Sequence, residues 1–204
     1  MVEVQTENPK PGLSRGKKAG LAVAGLVAVL ALAAVGFKLS QGPDLSKYAT
    51  GALEKMTTVA SPAPIAPIPF TDADGKPMTV ADFKGQVVVM NIWATWCGPC
   101  KVEMPTLGRL QAAYAGKPVL VAAVSVDKDS DMNLARAEIA ANGPLTLFRD
   151  PAYRLAFALD PKVEGFPTTL IIDRQGRERA RMSGAAEWDA PEVKALIDRL
   201  LHES

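Results

Sequence analysis

Histidine is almost missing from this chain. The single one, His202, is third from the C-terminal end, so a Ser-His-Asp or Cys-His arrangement would have to draw its base from a fraying tail. Cysteine is nearly as scarce, with two residues confined to Cys97-Gly98-Pro99-Cys100. Two thiols and one distant imidazole do not complete a zinc site, so no metal is expected. A bond between them would close a loop too short to restrict the unfolded chain much, which argues against a structural disulfide. An excess of charge is also lacking. Lys and Arg total 23 against 22 Asp and Glu, a net charge of +1, and no long-range field exists to gather nucleic acid. No internal repeat is visible, and 204 residues at 48% hydrophobic suit one domain with an appendage.

The appendage comes first. Lys10, Arg15, Lys17 and Lys18 precede an uncharged run from Ala19 to Phe37 built of Ala, Val, Leu and Gly. A helix needs roughly 17 to 25 such residues to cross hydrocarbon. The positive residues lie before the run, which places Met1 in the cytoplasm and everything after Phe37 outside. Residues 1–18 are thus expected as a basic cytoplasmic N-terminus and 19–38 as a transmembrane signal anchor. A signal peptide cleaved near Ala31-Leu32-Ala33 and a buried core helix are the competing readings. The length of the basic leader and of the apolar run favours the retained anchor. Residues 39–68 turn proline-rich toward their end, as in Ser61-Pro62-Ala63-Pro64-Ile65-Ala66-Pro67-Ile68 with Pro69 just beyond, and this proline density predicts an extended spacer. Within it, Ser46 to Met56 suits a short helix or more linker.

From residue 69 to 204 the pattern is that of a folded α/β domain. The Asp-Gly step in Thr71-Asp72-Ala73-Asp74-Gly75-Lys76 suits a tight hairpin. The apolar runs Gln86 to Ile92 and Val119 to Val126 read as strands buried on both faces. Between them, Met104, Leu107, Leu110 and Tyr114 recur at helical spacing, so the strands form a parallel pair joined by a crossover helix. Further helices are predicted over Asp131 to Ala141 and Ala152 to Leu159, with a strand at Leu145 to Phe148. A hairpin pairs Thr168–Ile172 with Glu178–Met182, and a closing helix runs from Ala190 to Leu201.

The position of the cysteine motif carries its chemistry. It follows a buried strand and opens a helix, where unpaired backbone N–H groups and the positive end of the macrodipole favour thiolate over thiol. Cys97 is therefore the expected nucleophile. Pro99 suits the first helical turn, and Cys100, one turn in, is the expected resolving thiol. No second cysteine pair is present to make this half of a zinc ribbon.

The run Asn91-Ile92-Trp93-Ala94-Thr95-Trp96-Cys97-Gly98-Pro99-Cys100-Lys101-Val102-Glu103-Met104-Pro105, with Gly165-Phe166-Pro167-Thr168-Thr169 and Gly184-Ala185-Ala186-Glu187-Trp188, resembles the thioredoxin superfamily. In detail it resembles the membrane-anchored TlpA-type branch, which includes reductases of cytochrome c and cytochrome oxidase maturation. The resemblance covers about Phe70 to Leu201 and implies a thioredoxin fold, a central mixed sheet flanked by helices. It also implies an extra helix and strand in the forty positions between Asp127 and Pro167. It makes the bond before Pro167 cis and places Trp96, Phe166 and Pro167 in a substrate groove. Many soluble thioredoxins have a buried Asp where Asn91 stands, so the resemblance passes the role of proton acceptor to Glu103, whose alternative is a solvated helix carboxylate. Thr168 replaces the acid that follows the proline in some haem-maturation reductases, which leaves the client open.

The expected activity is that of a bacterial inner-membrane thiol:disulfide reductase with its catalytic domain in the periplasm, acting as a monomer. It would need no cofactor beyond the Cys97–Cys100 couple. The resemblance implies exported cysteine-pair proteins as acceptors, apocytochrome c or copper-site maturation proteins among them, and a membrane thiol relay as electron donor. A periplasmic oxidase or isomerase is the main alternative, since direction depends on potential and partners. A copper-delivery module is disfavoured, because no histidine accompanies the cysteines. A peroxidase would not need this Cys-x-x-Cys pair.

Overall fold

The structure, a computed structural model, describes residues 43–203. The expected anchor at 19–38 and its basic leader lie outside the described residues. Among those described, no helix is long and apolar enough to cross a membrane.

Eight strands form one sheet: β1 (Thr57–Thr58), β2 (Phe70–Asp72), β3 (Pro77–Met78), β4 (Val87–Trp93), β5 (Val119–Ser125), β6 (Thr146–Arg149), β7 (Thr168–Ile172) and β8 (Glu178–Ser183). Their order is β1-β8-β7-β4-β5-β6-β2-β3. The four longer helices are α1 (Gly98–Ala113), α2 (Met132–Ala141), α3 (Arg154–Ala158) and α4 (Pro191–Leu201). This is the thioredoxin-like arrangement, a mixed sheet flanked by helices.

β4 lies at its centre because all seven of its residues can be buried. A strand covered on both faces needs apolar side chains on both, and Val87 to Met90 supply them. It runs parallel to β5 and antiparallel to β7, with Asn91 opposite Ala123 on one side and Thr169 on the other. α1 makes the crossover between β4 and β5. Gly108 gives α1 its close approach to the end of α2, since a Cβ there would lie 1.8 Å from the Asn142 carbonyl oxygen. The expected extra helix and strand are α2 and β6, and β6 extends the parallel part of the sheet beyond β5.

The segment expected as a free spacer differs. Residues 43–68 lie against the domain, and two 3₁₀ turns, Ser46–Tyr48 and Gly51–Leu53, precede β1, which pairs with β8. Leu45, Leu53, Met56 and Ile68 are buried in the same core as β4. Proline density does keep residues 61–67 out of any helix, but it does not prevent the apolar residues around them from packing, and their burial offsets the ordering cost. Glu192 secures the segment by accepting the Ala52 N–H at 2.6 Å. Arg179 of β8, 1% exposed, ties both ends of the described chain. It donates to the Pro43 carbonyl at 3.2 Å and to Asp173 at 3.3 Å, and it also pairs with Glu203.

Candidate active site

β4 ends at Trp93, and Ala94-Thr95-Trp96 turn the chain into α1. That turn is held from below. Asp127, just past β5 and 1% exposed, accepts the Thr95 N–H at 3.0 Å and the Thr95 hydroxyl at 2.8 Å. The Ser125 hydroxyl donates to the same carboxylate at 2.7 Å. Sequence reading passed over Asp127, for nothing local links it to a residue thirty-two positions earlier.

Cys97 is the N-cap of α1, with Pro99 in the first turn. Its sulfur accepts the Cys100 N–H at 3.3 Å, one of the donors that a helix start leaves without an internal partner. The two cysteines are joined as a disulfide, with Cα atoms 5.3 Å apart. Cys97 is 6% exposed and Cys100 fully buried, so an attacking group meets Cys97 first. Trp96 stands out to solvent at 61% exposure and meets the Phe166 ring edge-on at 5.9 Å. The Phe166–Pro167 bond is cis, as the resemblance implies, and so is Asp160–Pro161, which was not foreseen.

Glu103 follows Cys100 by three positions on α1 and therefore shares its face. It is not a solvated helix carboxylate, for it is only 1% exposed. Three donors converge on it: Asn91 Nδ2 at 2.7 Å, the Ala186 N–H at 3.0 Å and the Trp188 indole Nε1 at 2.7 Å. Burial raises its carboxyl to about 7, against the opposing pull of the Trp188, Ala186 and Asn91 bonds. Asn91 Nδ2 also donates to Thr169 Oγ1 at 2.8 Å, so one amide links β4, α1 and β7. A pocket of about 440 Å³ adjoins the acid, lined by Ala52, Val102, Thr106 and Ala185–Glu187 beside Glu103 itself. Ala52 belongs to the docked N-terminal segment, so that segment forms one wall. The Gly184-to-Trp188 motif was the sequence signal for this side of the site, although its contact with Glu103 was not legible.

Two sulfurs that can pass between dithiol and disulfide, one accessible and one enclosed beside a titratable carboxyl, suffice for thiol–disulfide exchange without a further redox group. On this fold, that is the chemistry of the thioredoxin superfamily, and the chain is a thiol:disulfide oxidoreductase. Comparison with known proteins agrees: residues 54–197 match the Redoxin family. The chain belongs to that family, and within the thioredoxin superfamily it is of the TlpA type. The thiol-disulfide oxidoreductase ResA of Bacillus cereus is 30% identical over 165 residues, covering 78% of this chain and 85% of the relative. ResA of Geobacillus thermodenitrificans is 28% identical over 82% of this chain and 90% of its own length. Among solved structures, a thiol:disulfide interchange protein of the DsbE kind from Chlorobium tepidum shares 30% identity with a TM-score of 0.56. That match covers 65% of this chain and 92% of the neighbour.

Proposed function

We propose that this chain is an exported disulfide reductase, held at the bacterial inner membrane by residues 19–38 with its catalytic domain in the periplasm. Its acceptors are exported cysteine-pair proteins, such as apocytochrome c or copper-site maturation proteins. A membrane thiol relay restores its dithiol, and it works as a monomer. The Cys97–Cys100 pair at the start of α1, with the buried acid Glu103 three positions further along the helix, carries the exchange chemistry of this reading, because a carboxyl near 7 can take a proton at neutral pH and give it back; the direction rests on the resemblance to the TlpA-type reductases.

In the forward direction the Cys97 thiolate attacks a client disulfide. An S–S bond forms to Cys97, and one client sulfur leaves as a thiolate and takes a proton. Glu103 accepts the proton of Cys100, whose sulfur then attacks Cys97 and expels the second client sulfur. The Cys97–Cys100 bond forms as the mixed disulfide breaks, so two electrons have moved from the dithiol to the client. Trp96, Phe166 and Pro167 border the groove in which the client chain lies, paired through its backbone.

The test is Cys100→Ser in the full-length, membrane-embedded chain. Serine cannot expel the client, so mixed disulfides should accumulate, disappear with dithiothreitol, and contain exported proteins with paired cysteines. Cytosolic partners would overturn the topology. The absence of adducts in cells that make the variant would overturn the mechanism, and an equilibrium potential well above that of thioredoxin, about −270 mV, would reverse the direction.

A further inference from the structure

The aromatic contact at the redox centre does not stop at Trp96 and Phe166. Phe166 meets Tyr153 at 6.1 Å between ring centroids, and Tyr153 meets Phe157 at 6.3 Å. Four rings are therefore linked by successive contacts from the residue beside Cys97 to helix α3, and the far one, Phe157, is 66% exposed. Tyr153 and Phe157 both belong to the stretch that separates β6 from the cis-proline. The fold does not need a large ring at the surface of α3, and burial does not explain one there.

Tyr153 is also held in a costly backbone state. Its φ is 56°, the only positive value among the described non-glycine residues, and glycine or asparagine would adopt it more readily. The Asp150 carboxylate fixes this turn by accepting the N–H groups of Arg154 at 2.9 Å and Leu155 at 2.8 Å. Tyr153 and Phe166 are half-buried against the core, which explains one side of each ring, while the other side continues the row from Trp96 to the exposed Phe157.

We propose that this row is a specificity surface for an extended segment of the client polypeptide, reading apolar side chains at alternate positions from the reacting cysteine. The proposal deepens the reductase reading and rests on it. The occupant follows from two observations. The row begins beside Cys97, so a chain whose cysteine reaches that sulfur already lies against Trp96 and Phe166. The centroid spacings of 5.9 to 6.3 Å approach the repeat of about 6.7 Å between alternate side chains of an extended strand. Successive side chains on one face of such a segment can therefore meet successive rings, which a helical or compact client cannot match. Tyr153 and Phe157 are specificity residues here, remote from the sulfur chemistry.

The test compares three disulfide substrates with the full-length chain in its dithiol form. One is a peptide disulfide with leucines at the second and fourth positions on either side of its cysteines, and the second has the same composition with the leucines at the first and third. The third is hydroxyethyl disulfide. The parent chain should favour the first peptide over the second by about tenfold in kcat/KM, the worth of one well-buried apolar side chain. Phe157→Ser and Tyr153→Asn should each erase most of that preference and leave hydroxyethyl disulfide unaffected, with circular dichroism showing that both variants remain folded. Equal rates for the two peptides, or an equal loss with hydroxyethyl disulfide, would overturn the proposal. A concentration-dependent dimer abolished by Phe157→Ser would overturn it in favour of contact between copies of the chain. A parent inert toward all three substrates would instead bring down the oxidoreductase reading, and this proposal with it.

Discussion

The indole Nε1 of Trp188 donates to Oε2 of Glu103 at 2.7 Å, across eighty-five positions of sequence. Trp188 is fully buried just before α4, and its backbone N–H donates to Thr106 Oγ1 at 3.0 Å. The loop before the last helix is thereby fastened to the turn of α1 that follows Cys100. Of the bonds that lower the pKa of Glu103, this one acts most strongly.

Trp188→Phe should therefore raise the pKa of Glu103 further, since a hydrogen bond to the charged form is lost and burial remains. The pH profile of mixed-disulfide resolution should move upward, with the alkylation rate of Cys97 little changed. Stopped-flow measurement of both steps separates this from general loosening of the fold, which would alter the two together.

Glu103→Gln keeps the shape and removes the titration. If the acid takes the Cys100 proton, resolution should slow by about 10² near neutral pH, the usual worth of a placed general base. A variant that resolves at the parent rate from pH 6 to 9 would assign Glu103 to structure alone.

Stability should respond to the same group. In the folded chain its pKa is about 7, above the ordinary value of 4.5. Between these values the native state keeps a proton that the unfolded chain has lost, so stability falls as pH rises through that window and levels off beyond it. The loss is on the order of 3 kcal/mol for a shift of this size. Thermal melts at pH 5 and pH 8 should differ less for Glu103→Gln than for the parent.

Asp127→Ala removes the acceptor for the Thr95 N–H, the Thr95 hydroxyl and the Ser125 hydroxyl. Leaving buried donors without partners should cost about 2 to 4 kcal/mol, and the loop that carries Trp96 and Cys97 should loosen. Urea melts measure the first effect. Slower reaction of Cys97 with client peptides, partly recovered in Asp127→Asn, measures the second.

Gly108→Ala offers a helix interior about 1 kcal/mol of propensity. It should nevertheless destabilise the domain, because the added Cβ would lie 1.8 Å from a backbone oxygen of Asn142, and backbone cannot swing aside as a side chain can. A rise in the melting temperature would show that α1 and α2 can separate at little cost.

The sequence by itself determined the elements and the identity of the dithiol. Apolar runs marked β4 and β5, helical spacing marked α1, and Cys-Gly-Pro-Cys between them marked the reactive turn, because these signals depend on neighbours within a few residues. The same local rules drew residues 39–68 as a spacer, for proline density is local, whereas the burial of Leu45, Leu53 and Met56 depends on a core assembled from distant strands. Tertiary structure alone decided the character of Glu103. The sequence left it open between a proton acceptor and a solvated helix carboxylate, because its three donors come from β4 and from the loop before α4. Likewise, Asp127 meets Thr95, and Tyr153 meets Phe166, only once the sheet has formed. A carboxyl's pKa, a turn's rigidity and a row of rings arise from groups brought together by folding, and these non-local contacts leave no fixed spacing in the chain.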